Sequence, residues 1–306
     1  MRAPAAVWGV LGAGLLALGA SPILIRLAGD VPALALAGWR TVVVAALLAP
    51  AVLVRDRDAL RQLGARDWAW IGGAGVLLGL HFMAWIASVQ LTSVASASVL
   101  VTTSPLFIAV LGALFLHERP GRRTALAIGA GVVGAALIGL SDGESGAYPA
   151  PALGNGLALG AAVLVSVYLL IGRAVRQRTS FLAYFAPLNA VAAVTCVGGC
   201  IMLGVPLSLP APALALAVGM GLGPGLLGHG SFVLALRYLP AALLGLLSLA
   251  EPVIATGVAW AWFGEVPPPL ALVGILIVLG SIAAVITSGA DRGTDAGGAR
   301  KTDDAL

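Results

Sequence analysis

Arg40, His81, His229 and Glu251 are ionisable side chains set deep in apolar sequence, and each can do chemistry that its aliphatic neighbours cannot. Arg40 follows Trp39 about nine residues into a hydrophobic run. A guanidinium at mid-membrane depth costs about 2.5–3.5 kcal/mol on insertion scales, so it demands a partner or water. Its planar fork suits a substrate carboxylate or phosphate, and the plainer alternative is a structural arginine bonded to helix-end carbonyls. Glu251 stands immediately before Pro252 near the middle of another run. A carboxyl there is held neutral or paired with a cation, which suits proton coupling, and Pro252 frees a backbone carbonyl one turn earlier. His81 and His229 change charge near neutral pH and could shuttle protons; the plainer reading is a pair of hydrogen-bonded core histidines. Trp85 and Ser88 follow His81 at helical spacing, so imidazole, indole and hydroxyl share one face that suits an amphipathic metabolite. Tyr168, Asn189 and Ser231 complete the polar set. No metal site is expected, because neither HxxxH spacing nor a carboxylate cluster accompanies the histidines. No cofactor is expected either: a Walker motif, a nicotinamide fingerprint and nucleophile-elbow spacing are absent, so nothing here would drive transport with ATP.

The elements that must hold these residues are set by composition. The 306 residues are 60% hydrophobic and 10% charged, with a mean hydropathy of +1.03. A soluble domain carries about 25% charged residues, so the membrane class is indicated and a nucleic-acid partner is not, despite a net charge of +4. Apolar runs fall at 6–27, 32–54, 68–89, 94–116, 122–140, 152–172, 181–203, 212–236, 241–263 and 268–288. Runs this long are helices, because a tilted barrel strand needs only about 10 residues and lipid leaves no backbone group unpaired. The expected fold is an all-α membrane protein of ten transmembrane helices. Of the 17 Lys and Arg residues, all but Arg26 and Arg40 fall on the side of the N-terminus, so the positive-inside rule places both termini in the cytoplasm of a multi-pass inner-membrane protein. Residues 289–306 are small and polar and are expected to form a disordered tail.

Shifting the chain by 147 residues lays TSPLFIAVLGALFLHERP (103–120) on AEPVIATGVAWAWFGEVP (250–267), and matches Pro105 with Pro252, Glu118 with Glu265 and Pro120 with Pro267. Pro105 and Pro252 are therefore paired kink candidates. Glu118 and Glu265, each followed within two residues by a proline, are expected to sit at the positive N-terminus of the helix that follows. The offset equals five spans, and an odd number per repeat turns the halves over, giving the inverted repeat common among secondary transporters.

Segments 79–120 and 228–267, with their small-residue runs before a proline and their acid-ended helices, resemble the two EamA-type halves of the drug/metabolite transporter superfamily. Trp39-Arg40 resembles the arginine-bearing second helix of that family. The resemblance implies one five-helix repeat over 6–140 and a second over 152–288, around a central cavity, with the fifth and tenth helices more peripheral. The function expected is a secondary-active exporter of small metabolites or amino acids, proton-coupled or facilitated, working by alternating access, as a monomer or homodimer whose partners are substrate, protons and the bilayer. The rivals are a facilitator or channel and an intramembrane lipid-modifying enzyme; the transporter reading is not an enzyme. Trp39, Arg40, His81, Trp85, Ser88, Tyr168, Asn189 and His229 are the substrate-binding candidates, and Glu251 is the proton-coupling candidate.

Overall fold

The computed structural model describes residues 4–115, 121–145, 147–235, 238–239, 247–248 and 250–299, and every regular element among them is helical. Glu118, Pro120 and Arg237 lie outside the described residues, as does the stretch 241–246 of the run expected at 241–263. The first apolar run forms α1 (Ala5–Gly19) and α2 (Ser21–Leu27), followed by α3 (Ala33–Arg55), the short α4 (Arg57–Arg61) and α5 (Ala65–Leu91). The next run is divided into α6 (Val94–Val101) and α7 (Ser104–Phe115), and α8 (Arg122–Ser145), α9 (Pro151–Arg176) and α10 (Phe181–Met202) follow. Then come α11 (Ala211–Met220), a π-helical segment (Gly221–His229), α12 (Gly230–Ala235), α13 (Ala250–Phe263) and α14 (Pro269–Ala299). Among the described residues six stretches are long and apolar enough to cross a membrane: Ala5–Leu27, Ala33–Arg55, Ala65–Leu91, Pro151–Arg176, Phe181–Met202 and Ala211–Ala235. Shorter apolar helices cover Val94–Ile108, Ala125–Ile138 and Pro269–Ala284. α14 continues beyond residue 288, where the sequence predicts a disordered tail, as far as Ala299.

Prolines explain the irregular places. Pro105 has no N–H to return to the Val101 carbonyl, and the chain turns at Thr102–Thr103 just before it. The two threonine hydroxyls donate back to Val99 O at 2.9 Å and to Leu100 O at 2.6 Å, the second a carbonyl that also accepts Thr103 N–H at 3.2 Å. Pro252 lies near the start of the described part of α13, beyond the helical residues 247–248. Pro224 lies inside the π-helical segment, whose widened turns absorb the bond it cannot make. The sequence suggests a break at Gly223-Pro224-Gly225; the chain stays helical by changing its pitch.

Element boundaries repeat along the chain. α3 begins at 33 and α10 at 181; α8 begins at 122 and α14 at 269. The packing repeats with them. α5 packs along α9, and α1 packs along the π-helical segment, which are equivalent pairs under the 147-residue shift. α3 packs on α10, and α8 packs on α14. Glycines allow the closest crossings: a Cβ on Gly134 would lie 2.8 Å from Gly274 O, and one on Gly274 would lie 2.7 Å from Gly134 O. Outward faces carry apolar side chains such as Leu53, Val132, Ile201 and Leu276, as a lipid-facing surface requires. Trp68 and Trp70 at the start of α5, and Trp260 and Trp262 at the end of α13, are exposed, as interfacial anchors are.

The two ends of the bundle differ. At one end Arg178 pairs with Asp67 at 2.7 Å and Ser180 donates to Asp56, close to Arg55, Arg57 and Arg176. At the other end the 92–93 turn meets the 147–150 segment, where Ala150 N donates to Leu91 O, and the 264–268 loop closes over both.

Candidate functional site

Arg40 projects from α3 into the interior and is 2% exposed. Its guanidinium carbon lies 4.1 Å from the centroid of the Phe82 ring on α5, a stacking arrangement that suits the flat delocalised cation. Nη1 reaches Ser21 Oγ at 3.5 Å, and Nε is buried without a hydrogen-bond partner. None of the ion pairs among the described residues includes Arg40. The floor beneath it is backbone. A Cβ on Gly221 would lie 2.9 Å from Arg40 O, and one on Gly225 would lie 3.8 Å from Arg40 Nε, so these glycines let the π-helical segment close against α3.

The two histidines meet beside it. His81 and His229 have ring centroids 6.4 Å apart, and Phe82 is edge-on to His229 at 5.1 Å. Phe82 and His229 are themselves equivalent under the 147-residue shift, so this aromatic contact joins matching positions of the two halves. His81 Nδ1 is 2.9 Å from the Ala161 carbonyl of α9. A carbonyl only accepts, so Nδ1 carries the proton, and Nε2 of the neutral ring is left as an acceptor. The cluster thus holds one fixed cation, two imidazoles and an aromatic platform.

One turn further along α5, Trp85 lines a small cavity of about 10 Å³, room for about one water, together with Leu18, Pro22, Ser98, Val101, Glu251 and Ala255. Ser98 Oγ is buried there without a partner. The two groups of residues adjoin through consecutive positions, because Ser21 touches Arg40 while Pro22 faces Glu251, and Phe82 and Trp85 are a turn apart.

Other sequence candidates are placed differently. The Trp39 indole donates to Leu207 O at 2.8 Å and ties α3 to the 203–210 loop. Ser88 donates to Trp85 O, Asn189 to Phe185 O and Ser231 to Gly228 O, each within its own stretch of chain. Tyr168 is buried in the main hydrophobic core with Phe82 and Trp85. Glu265 does not cap the helix that follows it, as the sequence suggests. Its Oε2 accepts from the backbone N–H of Val94, at the start of α6, because the 264–268 loop folds over that helix end instead. Phe82, Ser21 and Ser98 escape a reading of ionisable groups. The signal for Phe82 is its register with His229; Ser98 gives none beyond its run of small residues.

A bundle of long apolar helices holding a buried arginine that joins no ion pair among the described residues is the architecture of a multi-pass membrane protein. The EamA-like transporter family model matches residues 5–140 and again 152–287, and the chain belongs to that family, within the drug/metabolite transporter superfamily. A curated relative, the probable terminal-alkyne amino-acid exporter of Streptantibioticus cattleyicolor, is 29% identical over 188 residues, 58% of this chain. The match spans 59% of that relative's length. A crystal structure of another protein matches with a TM-score of 0.66 at 23% identity, covering 95% of this chain and 99% of that one, a likeness of fold.

Proposed function

We propose that the protein is a secondary-active exporter of small amino acids that works by alternating access between two inverted five-helix halves, with ten spans and both termini in the cytoplasm. The observation that carries this reading is Arg40: a buried guanidinium, stacked on Phe82, with an unpartnered Nε and, among the described residues, no carboxylate paired to it. A buried cation without a counter-ion is costly, and a substrate carboxylate arriving between α3, α5 and the π-helical segment supplies one. The amino-acid class comes from the relative named as an amino-acid exporter, and the turnover by rocking halves from the repeated packing of α5 with α9 and α1 with the π-helical segment.

Glu251 is the coupling group in this reading. It shares a cavity with Trp85 one helical turn from the Arg40 platform, so the proton and substrate sites adjoin. Purified protein in liposomes tests both parts. With an imposed pH gradient, the natural chain should accumulate labelled amino acid, and Glu251→Gln should abolish accumulation while sparing exchange at equal concentrations, since Gln keeps size and hydrogen bonding but fixes the neutral state. Gradient-driven accumulation by Glu251→Gln would remove Glu251 as the carrier, and a conductance far above saturable turnover would replace the exporter with a channel.

A further inference from the structure

Further along α13 than the Glu251 cavity, a second cavity of about 100 Å³ opens where the 92–93 turn, the 147–150 segment and the 264–268 loop meet. Ser93, Tyr148, Thr256, Glu265 and Pro267 are among its lining residues, and Glu265 is the one charged group in that lining. Glu265 Oε2 holds the Val94 N–H at 3.2 Å, and Oε1 faces Arg26 Nη2 at 3.5 Å. Arg26 stands directly behind the cavity wall. It donates to the Thr92 carbonyl, and its guanidinium carbon lies 5.5 Å from the centroid of the Tyr148 ring. The Arg26 and Glu265 side chains are 20% and 19% exposed, so neither charge is fully buried, both are poorly screened by bulk water, and Glu265 links Arg26 to the cavity that it lines.

At 3.5 Å the contact is longer than the roughly 2.7–2.9 Å of a charge-assisted hydrogen bond, so the two charges face each other without closing on each other. A cation and an anion side by side are the complement of a molecule carrying the same two charges in reverse. An α-ammonium group fits Glu265, with the Tyr148 ring close by, and the α-carboxylate beside it meets Arg26. A ligand with only the carboxylate meets Glu265 as a like charge, and one with only the ammonium meets Arg26 as a like charge, so the pair selects for a zwitterion. The cavity volume favours a short side chain.

We infer that the Arg26–Glu265 cavity is a second binding site, at the end of the transport path, for a small zwitterionic amino acid. The inference rests on the amino-acid reading above. Because Glu265 also holds the start of α6 and Arg26 belongs to α2, a zwitterion that takes both charges separates the 264–268 loop from those two helices. Ligand binding and opening of this end are therefore one event.

Val266 lines the cavity and is 68% exposed, and the native Cys196 and Cys200 are both buried, so Val266→Cys reports occupancy through its rate of reaction with a membrane-impermeant maleimide. In proteoliposomes, L-alanine at several times its Kd should slow labelling by about fivefold, as high occupancy requires. L-alaninamide, with the ammonium alone, and propionate, with the carboxylate alone, should leave the rate unchanged. Glu265→Gln and Arg26→Gln, each checked for folding by gel filtration, should both abolish the protection. Protection by propionate equal to that by alanine, or protection that survives both glutamine variants, would overturn the site. Exchange of labelled alanine in the same vesicles separates two failures. Exchange without protection overturns this site alone; neither exchange nor protection overturns the amino-acid reading with it.

Discussion

Arg40 is placed at a cost that its surroundings do little to offset. One 3.5 Å contact to Ser21 and the face of Phe82 are its partners among the described residues, in a position where an insertion cost of about 2.5–3.5 kcal/mol is expected. Replacing a buried charge by an apolar side chain of similar length is often neutral or stabilising by about 1–4 kcal/mol. Arg40→Met should therefore keep or raise the unfolding temperature in detergent while reducing amino-acid exchange to background. Arg40→Lys keeps the charge but loses the stack and the fork, and should raise KM about tenfold, equivalent to about 1.4 kcal/mol. A Met variant that exchanges substrate normally would return Arg40 to a structural role. His81 differs in kind, since its Nδ1 is already committed to Ala161 O, which fixes its tautomer and orients it for the cluster.

The π-helical segment is what brings this cluster together. Without its changed pitch, His229 would sit at a different angle to α3 and α5, and the glycines within it carry the close approach. A methyl on Gly221 would meet Arg40 O and Val43 Cβ, both at 2.9 Å, and a backbone carbonyl cannot move aside easily. Gly221→Ala should destabilise the protein by about 1–3 kcal/mol, the usual cost of overpacking. Gly223, two residues on, has nothing within 4 Å of its Cβ position, and Gly223→Ala should be neutral or stabilising by up to about 1 kcal/mol through helix propensity. Thermal unfolding of the two variants checks the difference; equal melting curves would mean that the α3 crossing is looser than these distances require.

For the whole molecule, the packing has a direction. Asp67 at the start of α5 meets Arg178 just beyond α9, while Thr92 beyond α5 lies against Gly154 near the start of α9, so the two helices run antiparallel. The arginine-bearing segments 55–66 and 173–178 meet at the Asp67 end, and the Arg26–Glu265 cavity lies at the opposite end of α5 and α9. If the arginine-rich end is cytoplasmic, Val205→Cys should react with an impermeant maleimide on intact cells, and Arg61→Cys should react only after permeabilisation, against a background kept low by the two buried native cysteines. Reaction of Arg61→Cys from outside would reverse the orientation.

Much of this was legible in the chain itself, because lipid allows few solutions. Long apolar runs must be helices, charges must gather in loops, and an Arg40 or Glu251 within an apolar run must find a partner or water, since each statement follows from the cost of an unpaired polar group in hydrocarbon. The 147-residue register likewise anticipated the matching starts of α8 at 122 and α14 at 269. Tertiary structure decided what no spacing encodes: that Phe82 lies under Arg40, that Trp39 turns away to Leu207, that Ser98 shares a cavity with Glu251, and that Glu265 reaches α6 and Arg26 instead of its own following helix. Each joins residues far apart in sequence through the packing of helix on helix. Which apolar face meets which depends on side-chain shape and on where glycines permit close approach, and in a chain so uniformly apolar the hydrophobic pattern alone does not distinguish one face from another.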